Sequence, residues 1–126
     1  MDSDKLVSVL ENLGIDLFVQ EKYKDAEEFH ARAVDVCRKS QKISERNLAA
    51  ALQGQASFFL KLTRLEDAER TNLEALELVE EACGEGDPKL APFLAFRANI
   101  LRQTNREAQA LEIDKRIKAL WKGTWL

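Results

Sequence analysis

The chain of 126 residues is 45 % hydrophobic and 33 % charged, which provides for one domain with a modest core and wide solvated faces. Its 19 basic residues are interspersed among 22 acidic ones, at a net charge of −3, so it lacks the clustered basic face that nucleic acid binding requires. Since no apolar run approaches the roughly 20 residues of a membrane helix and the acidic N-terminus has no signal-peptide core, we expect a cytoplasmic protein without nucleic acid or membrane partners.

Six helices are predicted from apolar residues at helical spacing, and the first three occupy the N-terminal half of the chain. The first spans residues 4–19, with Ser3 as its N-cap, and the second spans residues 22–39. The third begins near Glu45, where the Ser44 hydroxyl is the expected cap, and continues to about Leu62.

Two sequences of the form Thr-x-x-Glu are predicted to begin the fourth and sixth helices. In such a capping box, the threonine oxygen accepts from a first-turn amide and the glutamate reaches back to the threonine amide. Thr63 begins the box of the fourth helix, which ends near Ala82. Thr104 begins the box of the sixth helix, which ends near Trp121 and leaves residues 122–126 as a tail outside it.

The fifth helix is predicted between these two, at residues 89–103. Gly84 and Gly86 end the helix before it, and Asp87 is the expected N-cap. Pro88 suits a first helical position because the amide hydrogen that it lacks would have no partner there.

A 42-residue period relates the three pairs of helices. It separates Ala26, Ala68 and Ala110, and twelve positions before each of them stands another small residue: Gly14, Ala56 and Ala98. Small side chains at both places let the two helices of a pair approach closely. The spacing of 41 between Thr63 and Thr104 indicates that the third turn is one residue shorter than this period.

The repetition predicts an all-α fold in which three antiparallel helix hairpins stack into an α-α superhelix, because each hairpin leaves an apolar face for its neighbour to cover. We expect one domain over residues 1–126, with repeats at about residues 4–40, 44–82 and 88–121 and a tail at residues 122–126. An ordinary up-down helical bundle is the alternative.

The residues of these units resemble the tetratricopeptide repeat. The first unit matches the family's pattern from Leu10 to Leu17, as L-x-x-L-G-x-x-L, and again at Tyr23, Ala26 and Ala33. The period exceeds the usual one of about 34 residues. It is similar, as is the linker at residues 84–88, to the longer variety found in kinesin light chains. The resemblance implies a right-handed solenoid that is not an enzyme and that binds a protein or peptide partner in a concave groove.

On this resemblance, the first helix of each hairpin lines the groove, and its side chains that do not face the core are the candidate binding residues. Amide side chains suit a peptide backbone because they donate and accept together, and cations attract carboxylates of an acidic partner. The alternative is that these residues are solvated helix faces. The candidates are Glu11, Asn12, Ile15, Gln53, Ser57, Lys61, Asn99 and Arg102.

The end of the sixth helix suggests a second function. Ile117 and Trp121 extend an apolar face that no later helix covers, and Trp125 follows. Tryptophans beside an uncovered apolar face are common interface anchors, so this surface predicts a self-association module and a homodimer. The alternative is that the tail folds back and covers the face itself.

Catalytic and metal-binding functions are not expected. Cys37 and Cys83 form no C-x-x-C pair, and we interpret them as core residues, with a redox or metal role as the alternative. The single histidine, His30, lacks the second Glu-x-x-His motif of a di-iron bundle and is interpreted as a packing residue. We therefore predict no catalytic residue, no metal site and no cofactor. The positions of the family's chaperone-binding carboxylate clamp hold Glu11, Ile15, Gly54, Pro92 and Phe96, so that function is not expected either.

Overall fold

The computed structural model describes residues 2–40 and 45–125, with the side chains of residues 46 and 123–125 excluded. Within these ranges the chain forms six α-helices and no strand, and a short 3₁₀ helix, Pro88–Leu90, precedes the fifth. The predicted all-α fold is confirmed. The α-helices are α1 Ser3–Val19, α2 Tyr23–Lys39, α3 Glu45–Lys61, α4 Leu65–Cys83, α5 Ala91–Gln103 and α6 Glu107–Trp125.

The helices pack in chain order as three hairpins, α1–α2, α3–α4 and α5–α6, with α2 against α3 and α4 against α5. The small residues of the 42-residue period are buried where the helices of a hairpin meet, and Ala26, Ala68 and Ala110 are each 0 % exposed. No helix in the described ranges combines the length and the apolar character that crossing a bilayer requires.

The same backbone turn closes all three hairpins. Glu21, Thr63 and Asn105 have φ values of 62°, 59° and 59°, in the left-handed region, and they are 42 residues apart. In each turn the next residue's amide donates to a carbonyl five residues earlier, as from Lys22 to Leu17 at 2.9 Å. These are Schellman motifs, which end a helix by satisfying its last carbonyls. The third turn is therefore as long as the others, and the prediction that it is shorter is wrong.

Both predicted capping boxes are wrong, because the threonines belong to the ends of the preceding helices. The Thr63 hydroxyl donates to the Leu62 carbonyl at 2.6 Å, and the Thr104 hydroxyl donates to the Ile100 carbonyl at 2.9 Å. Arg64 is the N-cap of α4, and its side chain makes no capping hydrogen bond. The Schellman turn occupies the positions at which a box would form.

The remaining helix ends agree in part with the sequence. The N-cap of α1 is Asp2, whose carboxylate accepts from the Asp4 amide, and not Ser3 as predicted. Asp87 accepts from the Lys89 amide at 2.8 Å, which confirms the predicted cap, although it caps the 3₁₀ helix that leads into α5. The predicted cap Ser44 lies outside the described residues.

The C-terminal segment differs from the prediction. Helix α6 continues to Trp125, so residues 122–125 are helical and do not form a tail that folds back. Lys122 lies in the last turn, where its charge complements the negative end of the helix dipole.

Ion pairs join neighbouring hairpins at positions that repeat every 42 residues. One pair of positions joins α2 to α4 and again α4 to α6 with the same charges, as Glu27–Arg64 and Glu69–Arg106. A second pair of positions repeats with its charges exchanged, as Arg38–Glu74 and Glu80–Arg116, each at 2.6 Å. The 42-residue register therefore extends through all three hairpins.

Candidate functional site

A cavity of about 330 Å³ opens between α1 and α3, the first helices of the first two hairpins. Residues of α1 from 11 to 19 form one wall, residues of α3 from 54 to 61 form the other, and one residue of α2 lies at the floor. Most of the lining is apolar. It consists of Glu11, Ile15, Phe18, Val19, His30, Gly54, Ser57, Phe58 and Lys61.

The floor of the cavity is formed by His30, which is only 7 % exposed. Its ring lies 4.9 Å from the ring of Phe58, and a Cβ added to Gly14 would be 3.0 Å from its Cδ2 atom. Gly14 therefore allows the imidazole to fill the space between α1 and α2, and the interpretation of His30 as a packing residue is confirmed. Burial lowers the pKa of His30, and the nearby Lys61 ammonium lowers it further.

Aromatic rings and one cation form the far end of the cavity. The Lys61 ammonium lies 5.3 Å from the centre of the Phe18 ring, and the Phe18 and Phe58 rings meet edge-on at 5.9 Å. Ile15 is 53 % exposed beside them. This end presents apolar surface to solvent with a positive charge at its rim.

Glu11 lies at the opposite end and also lines a second cavity, of about 260 Å³. Burial raises the pKa of the Glu11 carboxyl. The second cavity is lined by Asp4, Val7, Ser8, Glu11, Cys37, Asn47 and Ala50. Burial, followed by the charges of Glu11 and Asp4, raises the pKa of the Cys37 thiol, so this cysteine is a poor nucleophile.

Four of the eight predicted groove residues lie together in the α1–α3 cavity: Glu11, Ile15, Ser57 and Lys61. The other four lie elsewhere. Asn12 is exposed on α1 outside both cavities. The Asn99 amide oxygen accepts from Gln103 at 3.1 Å, and Arg102 forms ion pairs with Glu107 and Asp114 of α6. A binding role for any of the eight stays a prediction.

Gln53 takes part in a buried network that the sequence did not indicate. The Asn72 side chain is 0 % exposed, and its amide donates to the Gln53 side-chain oxygen at 3.0 Å and to the Phe93 carbonyl at 3.1 Å. Asn72 thereby joins α3, α4 and α5. Because Gln53 is the acceptor of this network, its side chain is turned to the hairpin junction.

Five cavity residues are absent from the eight predicted ones: Phe18, Val19, His30, Gly54 and Phe58. Phe58 follows Gly54 by four residues and precedes Lys61 by three, the spacing of one helix face, so this spacing was the available signal. His30 belongs to the second helix of a hairpin, whereas the predicted groove residues all lie on first helices.

A third cavity, of about 520 Å³, lies where α6 meets the start of α5. Its walls include Pro92 and Ala95 of α5 and Ile117 and Trp121 of α6, and Trp121 is 50 % exposed. Two of the three predicted self-association residues therefore share one apolar surface. The side chain of the third, Trp125, lies outside the described residues.

Comparison with known proteins supports the resemblance drawn from the sequence. Residues 6–40 match the family model of the tetratricopeptide repeat. No curated protein matches the chain in sequence. BtubC (BKLC) from P. vanneervenii has a TM-score of 0.80 at 21 % identity, over 98 % of this chain and 48 % of that one. This chain thus spans about half the length of BtubC.

A second solved structure, the N-terminal domain of stress-induced protein-1 (STI-1) from C. elegans, has a TM-score of 0.71 at 12 % identity, over 98 % of this chain and 94 % of that one. At these identities the two likenesses concern the fold alone. The match of the first hairpin to the family model and the fold of all three hairpins agree with each other. Residues 6–40 therefore match the tetratricopeptide repeat in sequence, and the chain as a whole shares the fold of these two solved structures.

Proposed function

We propose that this protein is a non-catalytic interaction module that binds a peptide segment of a partner protein in the groove between α1 and α3. The observation that supports this most directly is the open, mostly apolar cavity of about 330 Å³ between these helices. Stacked helical repeats use such surfaces for binding. We also propose a cytoplasmic location, with which the free thiols of Cys37 and Cys83 agree.

Gly54 offers a test that separates binding from folding. It lies within α3 at the cavity wall, and a Cβ added there meets no atom within 4 Å. Gly54→Leu fills the cavity and also replaces a poor helix former with a good one, a gain of roughly 1 kcal/mol. We expect this variant to lose binding to peptides selected from a displayed random library, with a melting temperature that is unchanged or higher.

Gly54→Ala is the matched control, because it brings the same helical gain with little obstruction. It should bind the selected peptides as the parent protein does. If Gly54→Leu binds them as tightly as Gly54→Ala, or if selection yields no peptide, this groove is not a peptide site.

Self-association through α6 is a second candidate, and the half-exposed Trp121 beside the 520 Å³ cavity favours it. We propose that this surface meets a second copy of the chain in a homodimer. Light scattering over a range of concentrations should show a dimer whose dissociation constant rises in Trp121→Ala. A parent protein that is monomeric at every concentration would exclude this function.

A further inference from the structure

The two cavities beside α1 form one groove. The 260 Å³ cavity lies between residues 4–11 of α1 and residues 47–50 of α3, and the 330 Å³ cavity lies between residues 11–19 and 54–61 of the same helices. Residue numbers thus increase in the same direction along both walls, and Glu11 borders both cavities. A segment that lies along the groove passes Glu11 before it reaches Lys61.

Glu11 and Lys61 of this groove form no ion pair with any side chain that the structure describes, in contrast to the charged residues at the hairpin junctions. Among the side chains that the structure describes, which exclude that of residue 46, no cation or hydrogen-bond donor contacts the half-buried Glu11 carboxylate, and burial raises its pKa. The Lys61 ammonium lies over the Phe18 ring and near His30, and no described carboxylate pairs with it. A partly desolvated charge without a counterion is most readily stabilised by an opposite charge on a ligand.

The surface between these two charges is apolar. Ile15 and Phe18 stand on one side, and Phe58 stands on the other, above the His30 ring. Gly54 leaves space beside them, since nothing lies within 4 Å of the position of a Cβ there. An apolar side chain of a ligand would therefore enter between the two charged ends.

The spacing of the charges sets the spacing of their partners. Seven residues separate Glu11 from Phe18, and likewise Gly54 from Lys61, which is about 10 Å along a helix. An extended peptide covers this distance in about three residues.

We propose that the occupant of this groove is an extended peptide with a cationic side chain at Glu11, a carboxylate side chain about three residues away at Lys61, and an apolar side chain between them. The proposal rests on the groove function proposed above, to which it adds the chemistry of the partner.

Short synthetic peptides with blocked ends test this inference, since their only charges are those of the two side chains. We expect the parent protein to bind acetyl-GSKLLESG-amide, the KLLE peptide, about tenfold more tightly than acetyl-GSELLESG-amide. Glu11→Lys should reverse this preference. Lys61→Glu should instead prefer acetyl-GSKLLKSG-amide. Because each variant is judged by the ratio of its affinities for two peptides, a modest change in its stability does not affect the comparison.

Glu77→Lys is the matched control, because it makes the same change of charge at an exposed site on α4 and should leave the ratio unaltered. An equal ratio in Glu11→Lys and the parent protein, or binding of the KLLE peptide weaker than about 1 mM, overturns the inference. Gly54→Leu distinguishes failure of the groove function from failure of the proposed charge pattern. If Gly54→Leu abolishes peptide binding while Glu11→Lys and the parent protein have the same ratio of affinities, the groove function stands and only the charge pattern is wrong. If Gly54→Leu leaves binding of the KLLE peptide intact, the groove itself is excluded.

Discussion

Thr63 occupies a backbone conformation that suits it poorly. Its φ of 59° places a β-branched residue in the left-handed region, where a non-glycine residue costs roughly 1–2 kcal/mol. Thr63→Gly should therefore raise the free energy of unfolding by about 1 kcal/mol in urea titrations, although part of the gain is offset by the greater entropy of glycine in the unfolded chain. Asn105→Gly, in the equivalent turn, is the control and should gain less, because asparagine tolerates this region. Equal gains at both positions would contradict this account of the strain.

His30 is the only histidine of the chain, so its titration can be followed by NMR without overlap. Its pKa is lowered from 6.5 by burial and then by Lys61, so we expect Lys61→Met to raise it and Lys115→Met, on α6, to leave it unchanged. The unfolded chain takes up a proton at His30 at a higher pH than the folded chain does. This contribution to stability is therefore complete above pH 6.5 and is lost as the pH falls through the lowered pKa. A His30 pKa that is the same in both variants would place Lys61 away from the cavity floor.

At the scale of the elements, the ion pairs with exchanged charges allow a test of whether the two hairpin junctions are equivalent. Arg38→Glu places like charges at the junction of α2 and α4 and should lower stability by roughly 0.2–1 kcal/mol, as exposed ion pairs do. The double variant Arg38→Glu with Glu74→Arg should recover this loss, because Glu80 and Arg116 carry that arrangement one repeat later. Unfolding in low and high salt measures both effects. A double variant as unstable as the single one would show that the two junctions are not equivalent.

The helices themselves could be predicted from the sequence, but several of their ends could not. The apolar spacing and the 42-residue period sufficed for six helices and their pairing. Thr63 and Thr104 misled because Thr-x-x-Glu also fits the end of one helix followed by a left-handed turn, and that turn here contains no glycine to reveal it. The segment after Trp121 contains one glycine and no proline, so nothing in it stops α6 before Trp125.

At the scale of the whole molecule, only half of the candidate site could be placed. The period put Glu11, Ile15, Ser57 and Lys61 on facing helices, and the structure brings them to one cavity. The sequence predicts Asn99 and Arg102 on the groove face of α5, yet Arg102 forms an ion pair with Asp114 of α6. That choice depends on how closely α6 packs and on which carboxylates it presents. These distances between elements are not encoded in the spacing of residues along one helix.

The proposed groove also predicts an opposition between binding and stability. Because the folded-state pKa of Glu11 is raised above 4.5, its ionisation disfavours folding above that raised pKa and has no effect well below 4.5. Glu11→Gln should raise the melting temperature at pH 7. The gain in the free energy of unfolding should be at most about 1 kcal/mol, because Glu11 is only half-buried, and it should vanish at about pH 3.

The same variant should bind the KLLE peptide more weakly, as measured by calorimetry, and Glu77→Gln on α4 should alter neither property. In the parent protein the affinity should fall as the pH is lowered through the raised pKa of Glu11, because protonation removes the charge that a cationic side chain meets. An unchanged melting temperature in Glu11→Gln at pH 7 would mean that this carboxylate is well solvated.

The exchange of charges between the two junctions has a consequence for a chain that loses one of its three units. If recombination removed the middle unit, the 42-residue register would place Arg38 beside Arg116, where each arginine now has a glutamate as its neighbour. Glu27, by contrast, would still meet an arginine, at Arg106. A chain without the middle unit would therefore have one repelling and one attracting pair of charges between its two hairpins, and exchanging the charge of Arg38 or of Arg116 would remove the repulsion.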